Sequence, residues 1–329
     1  MILERTKITQ KTGKWWSIPW WQEEKYYING AFTQEQVEIA FDELTKTFDA
    51  KWTLKQKIDN ATLPFVHPLV SWLLSEGLQP FQFFSSLGLD LYRAREEGLV
   101  TENLVTRLKN PKEYWESALF ELQLLSYLLS QGFRVEKDYK SGKGKRGTCN
   151  CDFRISKGDE IVFIEAKRPK KMHRYNEEVY RRNFGGFMTS VSEDNTRVRD
   201  STGEPLSSEP ELKKIFRHIL YAVNNQLPSD GVGSVIIESP WPFRYWEKFE
   251  KMMNIRFQKK VKYGHLSFIA AVETFFSADT GLDHRIRILM NRSANIDVSS
   301  YTVITAIHSF SRNAMDGSIY TGKNIRESR

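Results

Sequence analysis

The sequence predicts an α/β protein, with a mostly helical N-terminal region followed by a sheet with helices packed against it. Three observations carry this reading. Apolar residues recur at helical spacing in residues 1 to 110. After Gly132 the pattern changes to short apolar runs bounded by Gly, Lys and Asp, which read as strands. From residue 111 the elements run helix, strand, strand, strand, helix, strand, an order that covers a sheet with helices.

In chain order, FTQEQVEIAFDELTKTF (32–48) is a helix opened by a capping box, Thr33 with Gln36 three residues on. HPLVSWLLSEGLQPFQFFSSLGLDLYRAREEG (67–98) continues the helical periodicity. Pro111 sits in the first turn of a long helix, PKEYWESALFELQLLSYLLSQG, which Gly132 closes. FRVEKDY (133–139) is the first strand, KSGKGKRGTCN a loop, CDFRI (151–155) the second strand, KGDE a turn and IVFIEAK (161–167) the third strand. Residues 172–210 form a long polar stretch with Gly185 and Gly186, a length that marks a functional or disordered segment. PELKKIFRHILYAVNNQL (210–227) is the second helix of the core, and SVIIESP is a buried strand. A helix near FRYWEKFEKMMNIRF and strands at LSFIAAVETFF and HRIRILM extend the sheet. The expected division is a helical region at 1–110 for substrate or partner recognition, a core at 111–240 and an α/β extension at 241–329.

With 329 residues, 40% of them hydrophobic, the chain has material for a sizeable core. The mean hydropathy is -0.50, and no apolar run approaches the ~20 residues that cross a bilayer. The first residues lack the apolar segment of a signal peptide, so the expectation is a cytoplasmic protein with no membrane partner. Cys149 and Cys151 are too close for an ordinary disulfide; with His173 they would make three zinc ligands, and no fourth is evident. The net charge is +7. Residues 134 to 182 hold 15 Lys or Arg against 8 Asp or Glu, so that segment carries the whole excess. Such a concentration points to a polyanion, most often nucleic acid, or to a solvated loop. Trp15, Trp16, Trp20 and Trp21 read as core or interface anchors, with base stacking the alternative.

The acidic groups fall at particular places on these elements. Asp152 opens the second strand; Glu165 and Lys167 lie two apart at the end of the third and so share a face. Pairing the two strands as a hairpin brings Asp152 to Glu165. On the long helix, with Ala118 at zero, Glu121 falls at about 300°, inside the apolar arc of Leu122, Leu125, Leu128 and Leu129, and Glu116 at about 160°, on the opposite side. Glu121 therefore faces the sheet, where a bare charge costs several kcal/mol, roughly, unless something pairs it. A cation shared with Asp152 and Glu165 would do so. Three carboxylates and the Ala166 carbonyl are hard oxygen donors suited to Mg²⁺ or Mn²⁺. Lys167 would orient a water or accept its proton. Lys140, Lys143, Lys145 and Arg146 on one side, and Arg168, Lys170 and Lys171 on the other, are placed to hold phosphates.

Asp152, then Glu165-Ala166-Lys167 thirteen residues on, with Phe120-Glu121 on a helix eleven residues before Gly132-Phe133, resembles the PD-(D/E)XK nuclease superfamily. The pattern is similar to the cores of archaeal Holliday-junction resolvases and methyl-directed restriction endonucleases, and spans about residues 111–240. The resemblance implies a restriction-endonuclease-like αβββαβ core. It also implies metal-dependent hydrolysis of DNA to 5′-phosphates, with Glu121, Asp152, Glu165 and Lys167 catalytic. Cys151 stands where that family usually has proline, and the 172–210 segment is unusually long. Restriction, anti-phage defence, repair and transposition all fit such an enzyme. Cutting both strands of a duplex would favour a homodimer.

Two other readings stay open: a nuclease-like module that binds nucleic acid or protein and cuts nothing, and a nuclease acting on RNA. Lys213, Lys214, Arg217 and His218 either touch a nucleic-acid backbone or form a solvated helix face. Gln226 lies near the site without motif support, His67 reads as a core histidine, and Glu238 reads as structural.

Overall fold

The computed structural model describes residues 32–49, 51–52, 67, 69, 78–110, 115–144, 147–169, 208–239, 245–277 and 281–310. Pro111, the four N-terminal tryptophans, Lys145, Arg146, Lys170, Lys171 and His173 lie outside them, as does nearly all of 172–210. Helices come first: α1 (Gln34–Thr47), α2 (Leu78–Glu96), α3 (Glu102–Leu108) and α4 (Trp115–Ser130). Then come β1 (Arg134–Gly144), β2 (Gly147–Lys157), β3 (Glu160–Lys167), α5 (Ser208–Asn225) and β4 (Gly233–Glu238). The chain continues through α6 (Trp246–Phe257), α7 (Lys260–Tyr263), β5 (Leu266–Ser277), β6 (Gly281–Met290) and α8 (Thr302–His308).

The six strands make one mixed sheet in the order β1-β2-β3-β4-β5-β6. β1, β2 and β3 are antiparallel neighbours, β3, β4 and β5 run parallel, and β6 returns antiparallel. The two parallel joints are the two places where a helix crosses over, α5 between β3 and β4 and α6 between β4 and β5, as a parallel pairing requires. β4 is buried along its whole length, as a central strand covered on both faces should be. β1 and β2 are longer than the sequence suggests. Most of the expected Gly/Lys loop is strand, paired out to Gly144 opposite Gly147 beyond a register shift. Ladder pairing outweighs the weak strand preference of Gly and Lys there.

Alternation along β4 sorts the core into two layers. Ile236 joins a cluster under α1 to α4 and α8, and Val235 and Ile237 join a cluster under α5 and α6. The helices at 34–108 share the first cluster with the sheet, so they are built into the same core as the strands. Gly88 of α2 sits so close to α1 that a side-chain carbon would fall 2.1 Å from the Ala40 carbonyl oxygen. At α1 the capping box forms as expected: Gln36 N donates to Thr33 Oγ1 at 3.2 Å and Thr33 N to Gln36 Oε1 at 2.8 Å.

Gly132 ends α4 with φ +75°, its N–H on Leu129 O and that of Phe133 on Leu128 O. This is a Schellman closure, and it sends the chain directly into β1. At the far side Tyr127 of α4 donates to Ala306 O of α8 at 2.5 Å, tying together residues 179 apart. His67 is buried between Trp52 and Trp115, with Leu69 N–H on Nδ1 and Nε2 at 2.8 Å from Leu108 O. Burial lowers its pKa to about 4, so it is a neutral core histidine. No described helix is long and apolar enough to cross a membrane.

Candidate active site

Strict alternation fails within the β1–β2 ladder, and two aspartates stand there. Val135 of β1 and Phe153 and Ile155 of β2 belong to the α4 layer, yet Tyr139 and Cys151, of the same parity, lie on the α5 layer. The change of face falls between the pairs Lys137↔Phe153 and Tyr139↔Cys151, at Asp138 and Asp152, which form no ladder pair of their own. Asp138 has φ +53°, uncommon for a residue with a side chain. Asp152 therefore stands where the strand turns from one helical layer to the other.

On its other side the β2–β3 ladder runs only as far as Phe153↔Ile164. Beyond that pair two side chains take over the backbone's role. Asp152 N donates to Glu165 Oε2 at 3.2 Å, and Ala166 N donates to Asp152 Oδ2 at 2.8 Å. The carboxylates are thus locked to each other's strands as the strands part. Glu165 is fully buried, and its Oε1 accepts from Lys167 Nζ and, at 2.6 Å, from Gln226 Nε2 just after α5. Burial raises the pKa of both carboxyl groups. For Asp152 the negative charges of Glu165 and Glu121 raise it further, against Lys167 and the Ala166 N–H. Lys167 also opposes the rise at Glu165. The pair is under-neutralised.

Glu121 is buried in α4 as the helical projection predicts, and Glu116 is on the outer part of the helix. The charge of Glu121 is met differently from the expectation of a shared metal. Its Oε2 lies 2.5 Å from Arg107 of α3, and its Oε1 lies 2.8 Å from Lys137 of β1, itself 2% exposed. Among the described residues no three His, Cys, Asp or Glu side chains gather as a ready metal cage. The three-carboxylate group read from the sequence thus resolves into a close pair, Asp152 with Glu165, and a third carboxylate held by cations. Cys149 and Cys151 are both buried free thiols, and burial pushes the Cys151 thiol up, away from the thiolate that zinc needs.

Of the residues expected to hold phosphate, Lys140 and Lys213 are exposed, and Lys143 lies near the end of β1. Arg168 is placed just past the end of β3. It reaches Glu238 of β4 at 2.7 Å and Glu116 at 3.3 Å, clamping β3 to β4 and α4. Glu238 is accordingly structural, as expected. On α5, burial and then the charges of Lys167 and Lys214 depress the pKa of His218.

Sequence reasoning missed Arg107 and Lys137. Lys137 has a readable signal: it shares the parity of the buried Phe133 and Val135, so the strand pattern turns it inward, where a lysine needs an acidic partner. No family model, curated protein or solved structure matches this chain.

Proposed function

We propose that the chain is a metal-dependent deoxyribonuclease with a restriction-endonuclease-like core of the PD-(D/E)XK kind, hydrolysing DNA phosphodiesters to leave 5′-phosphates. The observation that carries this reading is the Asp152–Glu165 exchange at the parting of β2 and β3, with Lys167 on the same strand end. A purely structural ion pair has no reason to keep a buried carboxylate, Glu165, beside a half-buried one, Asp152, with only one lysine between them. The order of α4, β1, β2, β3, α5 and β4 supports the same reading.

The donor set fits a hard divalent cation. Asp152 and Glu165 supply carboxylate oxygens, and Gln226 Oε1 is a buried oxygen with no hydrogen-bond partner among the described residues. Asp152 and Glu165, with the Ala166 carbonyl, would hold Mg²⁺ or Mn²⁺, whose charge would offset that building on the phosphodiester. The chain's own residues do the rest. Lys167, anchored on Glu165, positions the attacking water. Gln226 fixes the Glu165 rotamer from the α5 side. Lys140 and Lys213 attract the backbone without reading its sequence.

A binding module that cuts nothing is the second reading. It is favoured by the contacts from Lys167 and Gln226 that already occupy Glu165 Oε1. Supercoiled, linear and single-stranded DNA and RNA, each with Mg²⁺, Mn²⁺ or EDTA, separate the two. Metal-dependent cutting by the wild type and none by Lys167→Ala upholds the nuclease. Folded protein that binds DNA and cuts no substrate upholds the binding module.

A further inference from the structure

We propose that Lys137 and Arg107 take the place of a second metal ion, so that the site binds one divalent cation at Asp152–Glu165 and Glu121 is not a ligand. The inference rests on the metal-dependent reading above and deepens it.

Three features point this way. Each oxygen of Glu121 faces a cationic group: Arg107 donates to Oε2 at 2.5 Å, and the Lys137 ammonium lies 2.8 Å from Oε1 as an ion pair without hydrogen-bond alignment. Lys137 is held from a second direction by Asp138 Oδ2 at 2.9 Å, on the residue whose positive φ marks the change of face in the sheet. The group of Arg107, Lys137, Glu121 and Asp138 holds two positive and two negative charges, so it is already neutral. A dication brought to Glu121 would meet two fixed positive charges, and with Lys137 buried water cannot screen that repulsion. The Asp152–Glu165 pair has the opposite character. Arg107 and Lys137 reach Glu121, whereas Lys167 and Gln226 reach Glu165, so the two acidic groups have separate sets of partners.

Lysine also does what a second ion cannot, since it is present before any metal or substrate arrives. Glu121 then acts as a positioning residue, keeping one buried ammonium and one guanidinium next to the carboxylate pair.

The test is Mn²⁺ binding to the full chain, followed by titration calorimetry and by the electron paramagnetic resonance of free Mn²⁺, with circular dichroism to verify folding. The wild type is expected to bind one Mn²⁺ per chain. Glu121→Gln should keep that stoichiometry and an affinity within about threefold, whereas Asp152→Asn should weaken it at least about thirtyfold. Lys137→Met removes a buried positive charge and should tighten Mn²⁺ binding about tenfold. Arg107→Gln, at a partly exposed position, should tighten it less and serves if Lys137→Met does not fold. Two ions per chain in the wild type, or a loss in Glu121→Gln as large as in Asp152→Asn, would overturn the proposal and make Glu121 a ligand. A folded wild type that binds no Mn²⁺ would instead remove the metal-dependent reading itself, and this inference with it.

Discussion

Two buried glutamates on opposite faces of the sheet meet the same electrostatic problem in opposite ways. Glu121, on the α4 face, is surrounded by positive charge from Arg107 and Lys137. Glu165, on the α5 face, shares its surroundings with another carboxylate, and one lysine, the Gln226 side-chain amide and the Asp152 N–H oppose the repulsion. Burial costs both sites alike, so the difference lies in what each has been given as compensation. A complete set of partners makes a permanent part of the fold. An incomplete set leaves a place where outside charge gains more than it would in water.

The largest effect expected from this contrast is on cleavage. Asp152→Asn and Lys167→Ala should each reduce it by a factor on the order of 10³, measured in single turnover. Asp152→Asn should also raise the melting temperature of the metal-free protein, because it removes one of two crowded carboxylates. A lowered melting temperature would erase the distinction between the two glutamates. At Glu121 the sign reverses. Glu121→Ala strands two cations and should cost about 3–5 kcal/mol in urea unfolding.

Acid gives a third comparison. The folded pKa of His67 lies below its unfolded value, so its neutral form contributes stability above pH 6.5 that is lost as pH falls toward about 4, roughly 3 kcal/mol in all. Asp152 and Glu165 have raised folded values, so their charged forms oppose folding at neutral pH and that opposition fades on acidification. Asp152→Asn should therefore lose more stability than the wild type between pH 6.5 and pH 4, and equal losses would show that the pair is not strained. The smallest effect is at Glu116→Ala, which breaks a partly exposed pair with Arg168 and should cost about 0.2–1 kcal/mol, with cleavage nearly unchanged.

Much of this arrangement can be read from the residues. Apolar runs at 151–155 and 161–167 mark β2 and β3, and 100° per residue along α4 turns Glu121 inward. Local periodicity suffices there because each run buries one continuous face. The same rule misleads at Asp138 and Asp152, where the strands change face and period-two counting loses its phase. Arg107 is invisible to it because the short α3 meets Glu121 only through tertiary packing. The α8 helix is too brief to announce itself in sequence, yet it supplies the carbonyl for Tyr127. Gln226 follows the last turn of α5, where helical phase no longer predicts direction.

That Tyr127–Ala306 bond also bears on the order of synthesis. The helix carrying Glu121 is made early, but its closing contact arrives 179 residues later, and Phe310 packs against the same tyrosine ring. A ribosome adding ~5–20 residues per second needs roughly ten seconds or more to span that interval. Through that time the nascent chain holds its acidic residues without a finished core around them. The core around α4 therefore closes only once α8 has been made, so its packing is completed late and together, not helix by helix.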